Sequence, residues 1–220
     1  MYYTHIFWDW NGTLIDDMEC SLSAVNRMLT ERGRQKITRA QYYKFIDTPI
    51  INFYKHIFDF TEITIEEIMR DFNRYYDMFI GSNPLMCGAA EVLSFFNALD
   101  ISQIVLSASS NKIIHPFAER LGIKGFFKHI LGSADGYVNS KTERAVSFIK
   151  DNGIEPAFCV LIGDTLHDFE TAKTIGCDCV LFTKGHQSKE DLLKTGAVLA
   201  DDIMTIPDLL KNRVFGLTNV

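Results

Sequence analysis

The chain has 220 residues, 47% hydrophobic and 23% charged, the balance of a folded globular protein and not of a disordered or fibrous one. Its formal charge of −6 argues against a nucleic-acid backbone as principal partner, because binding that backbone asks for a positive field. No apolar run approaches the roughly 20 residues that span a bilayer, and Met1-Tyr2-Tyr3-Thr4-His5 lacks the basic and apolar regions of a secretion signal. The expectation is a cytoplasmic protein without a membrane partner, a monomer or weak homodimer. Its five cysteines form no C-x-x-C pair and read as reduced, mostly buried thiols.

In chain order, the apolar run from about Tyr3 to Trp8 predicts an opening strand. No strand pattern follows until after residue 83. Met18, Leu22, Val25 and Leu29 keep helical spacing, as do Ile65, Ile68, Met69, Phe72, Tyr76 and Phe79. Thr38-x-x-Gln41 and Thr64-x-x-Glu67 have the form of capping boxes at helix starts. The stretch 16–83 therefore predicts an all-helical insertion, with Gly81-Ser82-Asn83-Pro84 as its return hinge. Its aromatics Tyr42, Tyr43, Phe53 and Tyr54 suit either the core of this lobe or a substrate pocket. From Ala89 onward, helix candidates near 89–98, 112–121, 142–152 and 168–175 alternate with apolar runs at 104–106, 159–162, 180–182 and 197–199. Three of these helices close on Gly122, Gly153 and Gly176, each followed by an apolar residue, the form of a left-handed C-terminal cap. Repeated β-α units with unalternating strands predict an α/β fold, a Rossmann-like parallel sheet flanked by helices, over residues 1–15 and 84–220.

Ligands of open parallel sheets bind beyond the carboxyl ends of the strands. Three strand ends here carry polar residues in quick succession: Asp9-Trp10-Asn11-Gly12-Thr13, Ser107-Ala108-Ser109, and Gly163-Asp164-Thr165-Leu166-His167-Asp168. A fourth signal is Lys141. Ser140-x-x-Glu143 reads as a capping box, which sets a lysine in the first turn of a helix against the helix dipole. A broken local rule of this kind marks a functional position or an exposed, solvent-screened lysine. The combined chemistry is coherent. Asp9, Asp164 and Asp168 offer hard oxygen ligands to Mg²⁺, while Lys141, Ser107 and backbone N–H groups neutralise a phosphoryl group, and Asp9 is placed to attack its phosphorus. The implied partner is a small phosphorylated metabolite.

The set D-x-x-G-T, a serine ending a strand, a lysine opening a helix and G-D-x-x-x-D resembles the four motifs of the haloacid dehalogenase superfamily, over nearly the whole chain. The helical insertion is similar to the cap of its phosphoglycolate-phosphatase and β-phosphoglucomutase-like branch. The resemblance implies a magnesium-dependent phosphatase. Asp9 is then the nucleophile, Gly12, Thr13, Ser107, Ala108 and Lys141 bind the substrate, and Asp164 and Asp168 serve the metal with Asp9 and the backbone carbonyl of Asn11. The cap is expected to close over the phosphate and to set substrate choice.

Asn11 departs from the family, which carries there a second aspartate acting as general acid and base. An amide hydrogen-bonds a leaving group but neither donates a proton nor recovers one, and such catalysis is worth ~10²–10⁴ in rate. Hydrolysis is then slow or limited to good leaving groups, unless another group, His167 or His56 by residue type, supplies the proton. Two alternatives stand beside a phosphatase. Phosphonatase-like relatives also resemble Asp9-Trp10 and lack the second aspartate, but they use a cap lysine where this chain has Ile50, with Lys36, Lys44 and Lys55 nearby in sequence. A weakly catalytic phosphometabolite-binding protein is the other. His115 and His129 read as structural, and His186, just after a strand end, either borders the site or is structural as well.

Overall fold

A computed structural model describes residues 2–81, 84–133 and 140–214. The chain divides into two compact units, one formed by residues up to Ile15 with those from Leu85 onward, the other by Asp16–Pro84. Ser82 and Asn83 of the expected hinge lie outside the described residues. No helix among the described residues is long and apolar enough to cross a membrane.

After β1 (His5–Trp8) the second unit holds α1 (Met18–Glu31), α2 (Arg39–Phe45), α3 (Ile51–Lys55) and α4 (Ile65–Phe79). Thr38 and Thr64 form their capping boxes with Gln41 and Glu67, so α2 and α4 begin where the side chains satisfy the first backbone donors. Leu22, Val25, Met28 and Leu29 of α1 pack with Phe53, Tyr54, Ile68 and Tyr75 into this unit's own core. Tyr42, Phe53 and Tyr54 are all buried there, so these three rings are core residues and not the lining of a pocket. The apolar stripe of α4 centres on Ile68 and Tyr75, seven residues and nearly two turns apart, and its last expected member, Phe79, is exposed.

The first unit continues with α5 (Ala89–Ala98), β2 (Ser102–Ser110), α6 (Asn111–Arg120), β3 (His129–Ser133), α7 (Lys141–Asp151), β4 (Cys159–Gly163), α8 (Leu166–Ile175), β5 (Asp178–Phe182), α9 (Lys189–Leu193), β6 (Val198–Ala200) and α10 (Ile206–Val214). All six strands are parallel, in the order β3-β2-β1-β4-β5-β6. Gly122, Gly153 and Gly176 have φ of +71°, +61° and +85°, the left-handed geometry that ends α6, α7 and α8. On one face of the sheet, Phe7, Ile104 and Leu161 pack with Ala145 and Ile149 of α7 and Ala172 and Ile175 of α8. The strand not foreseen is β3, an edge strand whose only apolar signal is Ile130-Leu131, both half-buried, and the short helix α9 was not foreseen either. The cysteines are all free, but only Cys159 is fully buried; Cys20, Cys177 and Cys179 are half-buried and Cys87 is exposed.

Two features of this sheet shape its polar rim. Trp8 pairs with Val105 on one side and Ile162 on the other, so the carboxyl ends of β1, β2 and β4 lie side by side. Between Leu106 and Ser110 the register of β2 against β3 shifts. Leu106 pairs with Leu131 and Ser110 with Ser133, so Ser107, Ala108 and Ser109 bulge opposite the single Gly132.

Candidate active site

Asp9 from the loop after β1, Lys141 from α7, Asp164 from the turn after β4 and Asp168 from α8 meet at the carboxyl edge of the sheet. All four are buried, with exposures of 8%, 6%, 0% and 1%. Asp9 follows β1, where its N–H continues the ladder to the Ile162 carbonyl at 2.8 Å. Lys141 is the first residue of α7, behind a complete Ser140–Glu143 capping box. Its Nζ donates to Asp9 Oδ1 and, at 2.5 Å, to Asp168 Oδ1. A lysine is therefore tolerated at a helix N-terminus here because two carboxylates meet it, and the reading of an exposed, screened lysine does not apply.

Asp168 has two tasks. Its Oδ2 accepts the N–H groups of Asp164 and Thr165, at 3.2 and 3.0 Å, and the Thr165 hydroxyl at 2.6 Å, which caps α8. That leaves Oδ1 turned to Lys141. Asp164 accepts the Thr13 hydroxyl at 3.1 Å on Oδ1 and the His186 N–H at 2.6 Å on Oδ2. The backbone closes in on these carboxylates. A Cβ added to Gly12 or Gly185 would collide with the Asp164 carboxyl group, and one added to Gly163 with that of Asp168. Gly12 also has φ of +76°, which a larger residue adopts only with strain.

One ammonium against three buried carboxylates leaves an excess of negative charge. Burial raises Asp9 well above the ordinary carboxylate range, with Asp168 and Asp164 adding to the effect against the pull of Lys141. Asp164 is pushed up to about 6, by burial first, with His186 opposing and Asp168 reinforcing. Burial works against charge on Asp168 too, but the ion pair with Lys141 outweighs it and holds this carboxyl below its usual value. Lys141 is held above the ordinary lysine range, the two aspartates overcoming the cost of its burial. One carboxylate oxygen from each of Asp9, Asp164 and Asp168 lies within 4.8 Å of the others. Hard oxygen donors, packed this closely and carrying surplus negative charge, suit a divalent cation of the Mg²⁺ type. This group of three is the one acidic cluster of its kind among the described residues.

The other residues singled out from the sequence fall around this centre in different ways. Ser107 is buried at the start of the bulge and Ala108 is exposed beside it. Thr13 is fully buried with its hydroxyl on Asp164, and the Gly12 N–H is engaged with the Ile15 carbonyl at 2.9 Å, so these two groups support the loop that holds Asp164. Asn11, half-buried, accepts a hydrogen bond on Oδ1 from Ser109 Oγ at 2.7 Å. His167 is half-buried, and burial followed by the nearby Lys141 charge lowers its basicity. His186 does border the site, through its backbone. Two participants went unread in the sequence: Gln187, whose Oε1 accepts the Leu166 N–H at 2.9 Å, and Arg144, whose Nη2 donates to the Ser107 carbonyl at 2.6 Å; Ser109 stood out only as one of the polar residues after an apolar run. Arg144 lies one turn beyond Lys141, and that spacing was the available clue.

Similarity to known proteins agrees with this arrangement. The chain is 26% identical over 210 residues to a phosphoglycolate phosphatase of Xylella fastidiosa, spanning 93% of this chain and 90% of that protein. It is 25% identical over 195 residues to a 5'-nucleotidase of Pseudomonas aeruginosa, spanning 86% and 87%. Its fold is shared with a haloacid dehalogenase-like family hydrolase from Streptococcus pneumoniae at a TM-score of 0.82 and 20% identity, over 94% of this chain and 98% of that one. Residues 6–182 match the model of the haloacid dehalogenase-like hydrolase family, and the chain belongs to that family.

Proposed function

We propose that this protein is a phosphatase that hydrolyses a small phosphorylated metabolite through an aspartyl-phosphate on Asp9, with Mg²⁺ as cofactor. The observation that carries the reading is Lys141, buried against Asp9 and Asp168 with Asp164 beside them. A surface ion pair needs no such burial, and a structural one needs no second and third carboxylate. The relatives named as phosphoglycolate phosphatase support the reaction class, phosphate ester hydrolysis.

In this reading an Asp9 carboxylate oxygen attacks phosphorus, and the Lys141 ammonium and Ser107 hold the phosphoryl oxygens as charge moves onto them. Arg144 steadies the Ser107 backbone. Asp9, Asp164, Asp168 and the Asn11 carbonyl are the groups that hold the cation, which when bound neutralises phosphoryl charge. Asn11 supplies no proton to the leaving group, so substrates with poor leaving groups turn over slowly. Asp9→Asn tests the assignment: it is expected to abolish Mg²⁺-dependent release of phosphate from a panel of phosphate esters while leaving the thermal unfolding transition in place. Turnover in that variant equal to wild type refutes the nucleophile.

A further inference from the structure

The bulge in β2 delivers two hydroxyls to the site, and phosphoryl binding by Ser107 accounts for only one of them. Ser109 donates to Asn11 Oδ1, and the surroundings brace this bond. Ser107 Oγ accepts the Ser109 N–H at 3.0 Å, and Arg144 fixes the Ser107 carbonyl. Gly132, opposite the bulge, leaves room that a Cβ would take, 2.7 Å from the Ser109 carbonyl oxygen. The two ends of a planar side-chain amide diverge from one carbon, so engaging Oδ1 on Ser109 also fixes the direction of the NH₂ group. An NH₂ group stabilises negative charge on a neighbouring oxygen, yet it has no proton to surrender.

We infer that Ser109 is a positioning residue that holds Asn11 with its NH₂ toward the departing oxygen, which matches the site to phosphates whose leaving group departs as a stabilised anion. Acyl phosphates, phosphoanhydrides and aryl phosphates form that class. The inference rests on Asp9 as nucleophile. In the first step an Asp9 oxygen bonds to phosphorus as the bond to the leaving oxygen breaks. That oxygen keeps the electron pair and accepts a hydrogen bond from Asn11 Nδ2, with no proton transferred. In the second step water adds to phosphorus, the bond to Asp9 breaks, and both water hydrogens leave on dihydrogen phosphate. Alkyl phosphates stall at the first step, because an alkoxide without a proton is too poor a leaving group.

The test compares initial rates on acetyl phosphate, p-nitrophenyl phosphate and glycerol phosphate for wild type, Ser109→Ala and Ser109→Thr, all with Mg²⁺. Wild type is expected to favour the first two substrates. Ser109→Ala is expected to lose about tenfold in kcat on them, the scale of one hydrogen bond, with KM little changed. Ser109→Thr, which keeps the hydroxyl, is expected to recover most of that loss. Three results overturn the inference while leaving Asp9 chemistry intact: glycerol phosphate as the best wild-type substrate, undiminished rates in Ser109→Ala, or an equal loss on all three substrates with raised KM, which marks Ser109 as a direct phosphate contact. Turnover that survives Asp9→Asn overturns the underlying mechanism, and this inference with it.

Discussion

At the scale of single residues, Asn11 is the position on which the proposed chemistry turns. Asn11→Asp supplies a group that protonates a leaving oxygen, so it is expected to raise kcat on glycerol phosphate by ~10²–10⁴, the usual range for general acid–base catalysis, and to raise p-nitrophenyl phosphate turnover much less. Steady-state rates on the two substrates check this, and equal or reduced rates on both sink it. Asp9 and Asp164 stood out as candidate site residues because each follows an apolar strand, Asp168 because it comes soon after Asp164 in the same segment, and Lys141 because it breaks a helix rule. What the sequence hid was the partner of each. That the Ser109 hydroxyl reaches Asn11 depends on a bulge that no residue pattern announces, and that His186 reaches Asp164 depends on a backbone N–H common to nearly every residue. Hydrogen bonds of this kind follow from tertiary geometry and leave no compositional trace.

At the scale of elements, α7 joins a folding signal to a chemical one. The Ser140 hydroxyl accepts the Glu143 N–H at 3.1 Å and Glu143 Oε2 accepts the Ser140 N–H at 3.0 Å, one residue ahead of Lys141. Ser140→Ala removes half of that box and is expected to cost ~1 kcal/mol of stability. Because the same turn aims Lys141, kcat is expected to fall more than KM rises; denaturant melts and steady-state kinetics on one preparation separate the two effects. A melt shifted with kcat untouched detaches the cap from the catalytic lysine. The capping boxes and the glycines after α6, α7 and α8 were readable because each is local, set by residues three or four apart. The strand β3 was not. It lies at the sheet edge with His129 exposed, carries Gly132 where the bulge demands it, and buries only Gly132 and Ser133 fully, so no run of apolar residues marks it.

At the scale of the whole molecule, the charge surplus at the sheet edge couples stability to cation and pH. If the proposed Mg²⁺ binds there, saturation at about 100 times its Kd is expected to stabilise by ~2.7 kcal/mol. For a chain of this size that is roughly 5–10 °C in Tm, at ~2–4 °C per kcal/mol. The sign with pH follows from the raised carboxyls. Without metal, Asp164 near 6 binds its proton more tightly folded than unfolded, so its contribution to stability grows as pH falls through about 6, and the raised Asp9 acts in the same direction. Metal binding must displace those protons. The Mg²⁺-induced rise in Tm is therefore expected to be largest above neutrality and to shrink as pH drops below about 6, and EDTA reverses it; thermal melts at several pH values, with and without Mg²⁺, give the answer. A shift that grows toward acid pH contradicts the assignment of these carboxylates to a cation.

The strand order has a last consequence. The segments bearing Asp9 and Asp164 extend from β1 and β4, inner strands with a neighbour bonded on each flank, while β3 and β6 form the borders. Peripheral strands fray first, so amide hydrogens of Phe7 and Leu161 belong among the slowest to trade with deuterated water. A molecule that has loosened along β6 still carries the Asp9 and Asp164 carboxyl groups in register, whereas loosening along β3 releases the bulge that holds Ser107 and Ser109.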